Sequence, residues 1–199
     1  MAYLGLFGCW VLAGTLVIAA LAKLRAFDDF AGSLVALRLV TGPARPTTGR
    51  TRSTAGPVRP LIGRARLLAG AVVGAELTAA ALCLLPVTAV VGLGVAAALM
   101  AAFAVVAGTA GRRRAVVPCR CFGSGGAPLG RRHVLRNGLL LGLALAALPA
   151  GLAAPGDPDP STVGLLLTLV TAAVAVALVV RFDDIADLVL PLPTDPIRS

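Results

Sequence analysis

Residues 67–110 read LLAGAVVGAELTAAALCLLPVTAVVGLGVAAALMAAFAVVAGTA and carry a single charge, Glu76. As one helix this stretch would extend about 66 Å, twice the hydrocarbon thickness of a bilayer. It must fold back on itself as two membrane-crossing helices. Pro86 is the expected break, because proline lacks the amide an interior helical position donates and clashes with the preceding turn. The spans are then residues 67–85 and 87–110, with Gly92 and Gly94 as a second breaking point.

Working outward, residues 2–22 are uncharged and form the first span. No basic stretch precedes them, so they read as a retained span rather than a cleaved signal. Residues 137–154 and 161–180 add two more, giving five. Between the first and second spans, Phe27, Phe30, Leu34, Leu37 and Val40 share one helical face, with Asp28, Asp29 and Arg38 off it. That pattern predicts an interfacial amphipathic helix over 27–40. Residues 41–66 are rich in Pro, Gly, Thr and Arg and read as a flexible loop. Residues 111–136 form a basic, glycine-rich loop; 182–190 read as a short interfacial helix, and 191–199 as a disordered tail. The fold class is an all-α polytopic membrane bundle, one domain over residues 1–190.

Composition agrees. The 199 residues are 58% hydrophobic and 14% charged, with mean hydropathy +0.92. A soluble domain carries about a quarter charged residues. The net charge of +9 does not point to nucleic acid: no binding motif accompanies it and aromatics make up 4%. The cations lie between apolar runs, where they set topology or meet anionic lipid headgroups. Of 18 Lys and Arg, nine fall in 23–66 and seven in 112–136. With five spans both groups share one side, and Arg181 and Arg198 join them. The positive-inside rule makes that side cytoplasmic, with the N-terminus out and the C-terminus in, in the plasma membrane.

Few residues in this background carry chemistry. Cys119 and Cys121 stand one residue apart in the third inter-span loop. A disulfide across so small a ring is strained and exchangeable. Arg112, Arg113, Arg114 and Arg120 are near in sequence and favour thiolate. Redox chemistry, metal binding and inert thiols are all compatible with the motif alone. A metal site would draw on Cys119, Cys121 and His133, the single histidine, but no fourth ligand is evident. A lone histidine among arginines reads first as a solvated interface residue. Cys9 and Cys83 both lie toward the outer face; they could pair, though small apolar fillers is the simpler reading. Glu76 sits mid-span, where an ionisable group is costly and marks a function. It is a candidate proton or quinone site, or a hydrogen-bond partner for a neighbouring helix at Thr15. Lys23 and Arg25 read as snorkelling anchors.

Four pieces in order resemble the MauE/DoxX family of redox-associated membrane proteins. They are Ala19-Ala20-Leu21-Ala22-Lys23-Leu24-Arg25 followed by Phe27 and Phe30; Gly74-Ala75-Glu76-Leu77; Cys119-Arg120-Cys121-Phe122-Gly123; and Arg136-Asn137. The CxCFG piece followed by Arg-Asn is the most specific. The resemblance implies a four-helix core plus one further span. It also implies thiol–disulfide handling beside a thioredoxin-like partner, with Cys119 and Cys121 as the redox pair. Supporting the maturation of a disulfide-rich protein is the expected role. A non-catalytic assembly scaffold and a small-solute or metal transporter are the alternatives. The charge rule sets the CxC loop on the cytoplasmic face, so service to a secreted substrate requires electrons to cross the bundle.

Overall fold

The computed structural model describes residues 2–37, 58–112, 131–152, 161–182 and 184–185. Six α-helices occur among them: α1 (Ala2–Arg25), α2 (Phe27–Ala36), α3 (Val58–Leu84), α4 (Ala89–Arg112), α5 (Arg131–Leu152) and α6 (Thr162–Val180). All but α2 are long and apolar enough to cross a membrane, so five spans are present and the chain is a multi-pass membrane protein. A 3-10 turn over Pro86–Thr88 separates α3 from α4, at the proline that ends the first arm of the hairpin. The Thr88 hydroxyl donates to the Leu82 carbonyl at 3.0 Å, satisfying an acceptor that the helix end leaves open.

Two helices begin earlier than the apolar runs suggest. α3 starts at Val58 rather than residue 67, so residues 58–66, expected in a flexible loop, are helical. α5 starts at Arg131 rather than residue 137. Hydropathy marks only the part of a helix inside the hydrocarbon; the first turns reach past it and carry exposed Arg64, Arg66 and Arg131. α2 ends at Ala36, while residues 38–57 lie outside the described residues, as do the CxC loop over 113–130 and the tail.

α1 is the hub, packing against α3, α5 and α6, while α4 packs against both α3 and α5. Just over half of the α1 span (56%) is buried within the bundle, against 6% for α6, which presents Leu166, Leu167 and Val170 outward. Small side chains make the internal contacts: Ala19, Ala20, Ala79, Ala80, Ala96, Ala144 and Ala147 are all buried. In lipid, where tails are as apolar as leucine, close backbone approach replaces the hydrophobic effect as the source of association.

Two glycines are required by that closeness. A Cβ on Gly92 would stand 2.5 Å from the Cys83 backbone nitrogen, and one on Gly8 would stand 2.5 Å from the Ala147 Cβ. The pairs Gly70/Gly74 and Gly138/Gly142, which have helix-packing spacing, meet nothing within 4 Å and reflect composition instead. Gly92→Leu is therefore expected to destabilise the bundle by at least about 1–3 kcal/mol, through overpacking against backbone. Gly70→Leu is expected to leave stability unchanged. Denaturant titration of the purified protein in mixed micelles measures both.

The helix ends sort by charge. At one end the Arg66 Nη2 donates to Asp28 at 2.8 Å across exposed surface. There too Leu37 and Val134 pack on buried Ala107 and Ala110. At the other end Ser161 donates its amide to the Tyr3 hydroxyl at 3.1 Å and caps α6 through the Gly164 amide. Lys23, Arg25, Arg66, Arg112, Arg131 and Arg181 thus gather at one end of the bundle, with Tyr3, Pro86 and Ser161 at the opposite one. α2 packs Ala31 and Leu34 on Ala65 and Ala69 of α3, so its apolar face covers the basic end of the bundle.

Candidate functional site

Glu76 faces inward from α3 and is fully buried. Its partner is Lys23 of α1, whose Nζ donates to Oε1 at 2.6 Å. Thr15 is not the partner; its hydroxyl lies one helical turn below Ala19 and two below Lys23 on the same face of α1. Nor is Lys23 an anchor at the membrane surface. It is 4% exposed, and its ammonium lies 5.6 Å from the ring centre of Phe30 and 5.4 Å from that of Phe103. Both distances are within cation–π range. Two residues on, Arg25 is exposed, as an anchor would be.

The reason for this enclosure is local. α2 turns back directly after α1 and lays Phe30 over the last turn of α1, while α4 supplies Phe103 from the opposite wall. The sequence carries a signal for this pair: of the 18 basic residues only Lys23 is lysine, and Glu76 is the only glutamate. A compact ammonium with three donors suits a buried one-point contact better than a planar guanidinium does.

Beside the pair lies a cavity of about 350 Å³. Its wall is mostly apolar, with Leu16, Leu34, Leu99, Met100 and Phe103 prominent. Polar groups reach it from Thr15, Lys23, Glu76, His133, Arg136 and Asn137. Among the described residues, Glu76 Oε2 and Thr15 Oγ1 have no hydrogen-bond partner although both are buried. His133 is 6% exposed, which corrects its reading as a solvated interface residue; the early start of α5 carries it into the bundle together with Arg136 and Asn137.

The second constellation is Cys9 of α1 with Cys83 of α3. Both are buried free thiols, and they share one core cluster where α1 packs on α3. Gly92 holds α4 against the Cys83 backbone and so fixes the thiol's position. Glu76 and Cys83 are seven residues apart on α3, so the ion pair and the thiols are separated by about 10 Å along the helix.

Cys119 and Cys121 lie outside the described residues; the helix ends that flank them, Arg112 and Arg131, are at the basic end. Among the described residues no group of three or more His, Cys, Asp or Glu could hold a metal ion. The alternative set of Cys119, Cys121 and His133 has two members outside that description.

No curated protein and no solved structure matched the chain. A family model did, that of the methylamine utilisation protein MauE, over residues 1–150. The match takes in α1 to α4, the CxC motif and nearly all of α5, and stops before α6, which packs on the outside of α1. With the ion pair, the thiol pair and the CxC motif all inside the matched residues, and with most of the chain covered, this protein belongs to the MauE family.

Proposed function

We propose that the chain is a thiol–disulfide redox protein of the plasma membrane, acting in methylamine utilisation. It exchanges electrons through Cys119 and Cys121 with a thioredoxin-like partner and so supports maturation of a disulfide- or cofactor-containing protein. The observation that carries this is the match to the MauE family over the residues that hold the CxC motif. All four cysteines of the chain lie within that match, two of them one residue apart and two buried in one core cluster across α1 and α3. The gathering of basic helix ends supports an N-terminus outside and the CxC loop inside.

The exchange is a two-electron step. A thiolate of the CxC attacks one sulfur of the partner's disulfide, forming a mixed disulfide and releasing the partner's other sulfur as thiolate. The second CxC thiol then attacks the mixed disulfide. The CxC ends as a disulfide, the partner as a dithiol, and two protons accompany the two electrons. Arg112, Arg113, Arg114 and Arg120, close in sequence to the motif, favour the attacking thiolate.

Cys121→Ser removes the resolving thiol and is expected to trap a mixed disulfide between Cys119 and a thioredoxin-like protein, visible as a reducible band in membranes. Absence of any trapped partner, with Cys119 and Cys121 reduced in the wild type under every condition, sinks the proposal. Full methylamine-dependent function in a Cys119→Ser, Cys121→Ser double variant would instead make the chain a non-catalytic scaffold. Solute flux dependent on Glu76 would make it a transporter.

A further inference from the structure

From the cavity beside the ion pair we infer that this protein binds the ring of a quinone or quinol between α3 and α4. The inference rests on the thiol–disulfide reading for its choice of ligand class: once exchange with the partner has left the CxC as a disulfide, a quinol gives up the two electrons and two protons that return it to the dithiol and is itself oxidised to the quinone. The site itself stands on geometry.

Two features define what fits. First, part of the cavity wall reaches the outer surface of the spans. Gly92 draws α4 onto Cys83 near the hairpin turn, while further toward the basic end the two helices leave the cavity between them. Leu68 of α3 and Ala102 of α4 line it and are also exposed on the outer surface of their spans. A ligand therefore enters from the hydrocarbon phase, which selects an apolar, membrane-dissolved molecule. Second, the inner wall carries polar atoms awaiting a partner. Glu76 Oε2 is an acceptor and Thr15 Oγ1 a donor or acceptor, both buried and both without a hydrogen bond among the described residues. A purely aliphatic occupant would leave both unsatisfied, at the full cost of burying them unpaired. A ring with an oxygen at each end answers both: a quinol hydroxyl donates to Glu76 Oε2, and a quinone carbonyl accepts from Thr15 Oγ1. The volume, about 350 Å³, lies at the small end of ligand pockets and suits one substituted ring with its tail outside.

The ion pair gives this wall a further property. Glu76 Oε1 is held by Lys23, so Oε2 is presented in a fixed direction. Glu76 lines the cavity, and its free oxygen is the acceptor offered to a ring hydroxyl.

The test uses the full chain in phosphatidylcholine nanodiscs and a photoreactive azidoquinone, with labelled residues mapped by peptide mass spectrometry. Label is expected on α3 near Leu68 and Val72 and on α4 near Ala102 and Val106. Excess decylubiquinone should displace it and decanol should not. Glu76→Gln is expected to weaken quinone competition about tenfold, by loss of a charge-assisted hydrogen bond. Because that variant also disturbs Lys23, Val106→Trp serves as a second probe: it fills the mouth, leaves the ion pair intact and should abolish labelling. Label scattered over the outward face of α6, or equal displacement by decanol, overturns the site. A variant with all four cysteines replaced by serine separates the two readings. Retained labelling with no thiol exchange leaves the cavity site standing whatever becomes of the redox proposal, and loss of labelling in wild-type protein that still traps its partner does the reverse.

Discussion

Replacing Glu76 by leucine alone is expected to cost the folded bundle about 3–5 kcal/mol, because it leaves a buried ammonium without its counter-charge. Lys23 is 4% exposed and its short contact to Glu76 Oε1 is the ion pair that compensates it. The aromatic faces of Phe30 and Phe103 contribute on the order of 1 kcal/mol each and do not replace a carboxylate. Lys23→Met alone strands the carboxylate instead, with a similar loss. The double variant Lys23→Met, Glu76→Leu removes both charges and is expected to recover most of the stability, since apolar replacements of a buried pair are often neutral or stabilising. Lys23→Arg is expected to behave as a disruption despite keeping the charge, because the space between two phenyl rings and one carboxylate oxygen admits an ammonium, not a planar fork. Unfolding titrations of wild type and the four variants in mixed micelles decide this. Equal stability of Glu76→Leu and wild type would mean that the pair holds nothing together, and recovery in the double variant alongside lost function would assign the pair to the site rather than to the fold.

Oxidation of Cys9 with Cys83 is expected to stitch α1 to α3 and raise stability by about 2–4 kcal/mol, the usual gain from closing a long loop. Both thiols are buried in one core cluster where α1 packs on α3. Closing the bond releases two electrons and two protons to the added oxidant. Wild-type protein treated with diamide, then alkylated and digested, should yield a linked peptide pair containing Cys9 and Cys83. Cys83→Ser should remove that species and the accompanying stabilisation. Gly92→Leu should reduce its yield, because it displaces the α4 backbone that holds Cys83 in place. A linked pair joining Cys9 to Cys119 or Cys121 instead would contradict the arrangement of the helices.

Much of this was legible in the sequence. One apolar run too long for one helix and divided by Pro86 gave the hairpin, and the arginines fell into the loops that five spans require. The helix starts were not legible, because the first turns of α3 and α5 lie beyond the hydrocarbon and carry arginines that hydropathy reads as loop. The site was half legible. Glu76 stood out because a carboxylate mid-span needs a reason. Its partner did not, because a lysine at the end of a span resembles a surface anchor until α2 is seen to fold over it. The burial of His133 was not legible for the same cause: its neighbours in sequence are arginines, and it is the early start of α5 that carries it into the bundle. That Cys9 and Cys83 share one core was not legible either; only the packing of α1 on α3 brings them together.

The central claim is that Cys119 and Cys121 form a redox couple, and its most direct test is their titration. The protein, in membranes, is equilibrated across a series of dithiothreitol ratios, then alkylated with isotope-coded reagents and read by mass spectrometry at each cysteine. The account predicts that Cys119 and Cys121 pass from reduced to oxidised together, as one two-electron transition. If both stay reduced across the series, or each is modified independently of the other, the claim is contradicted.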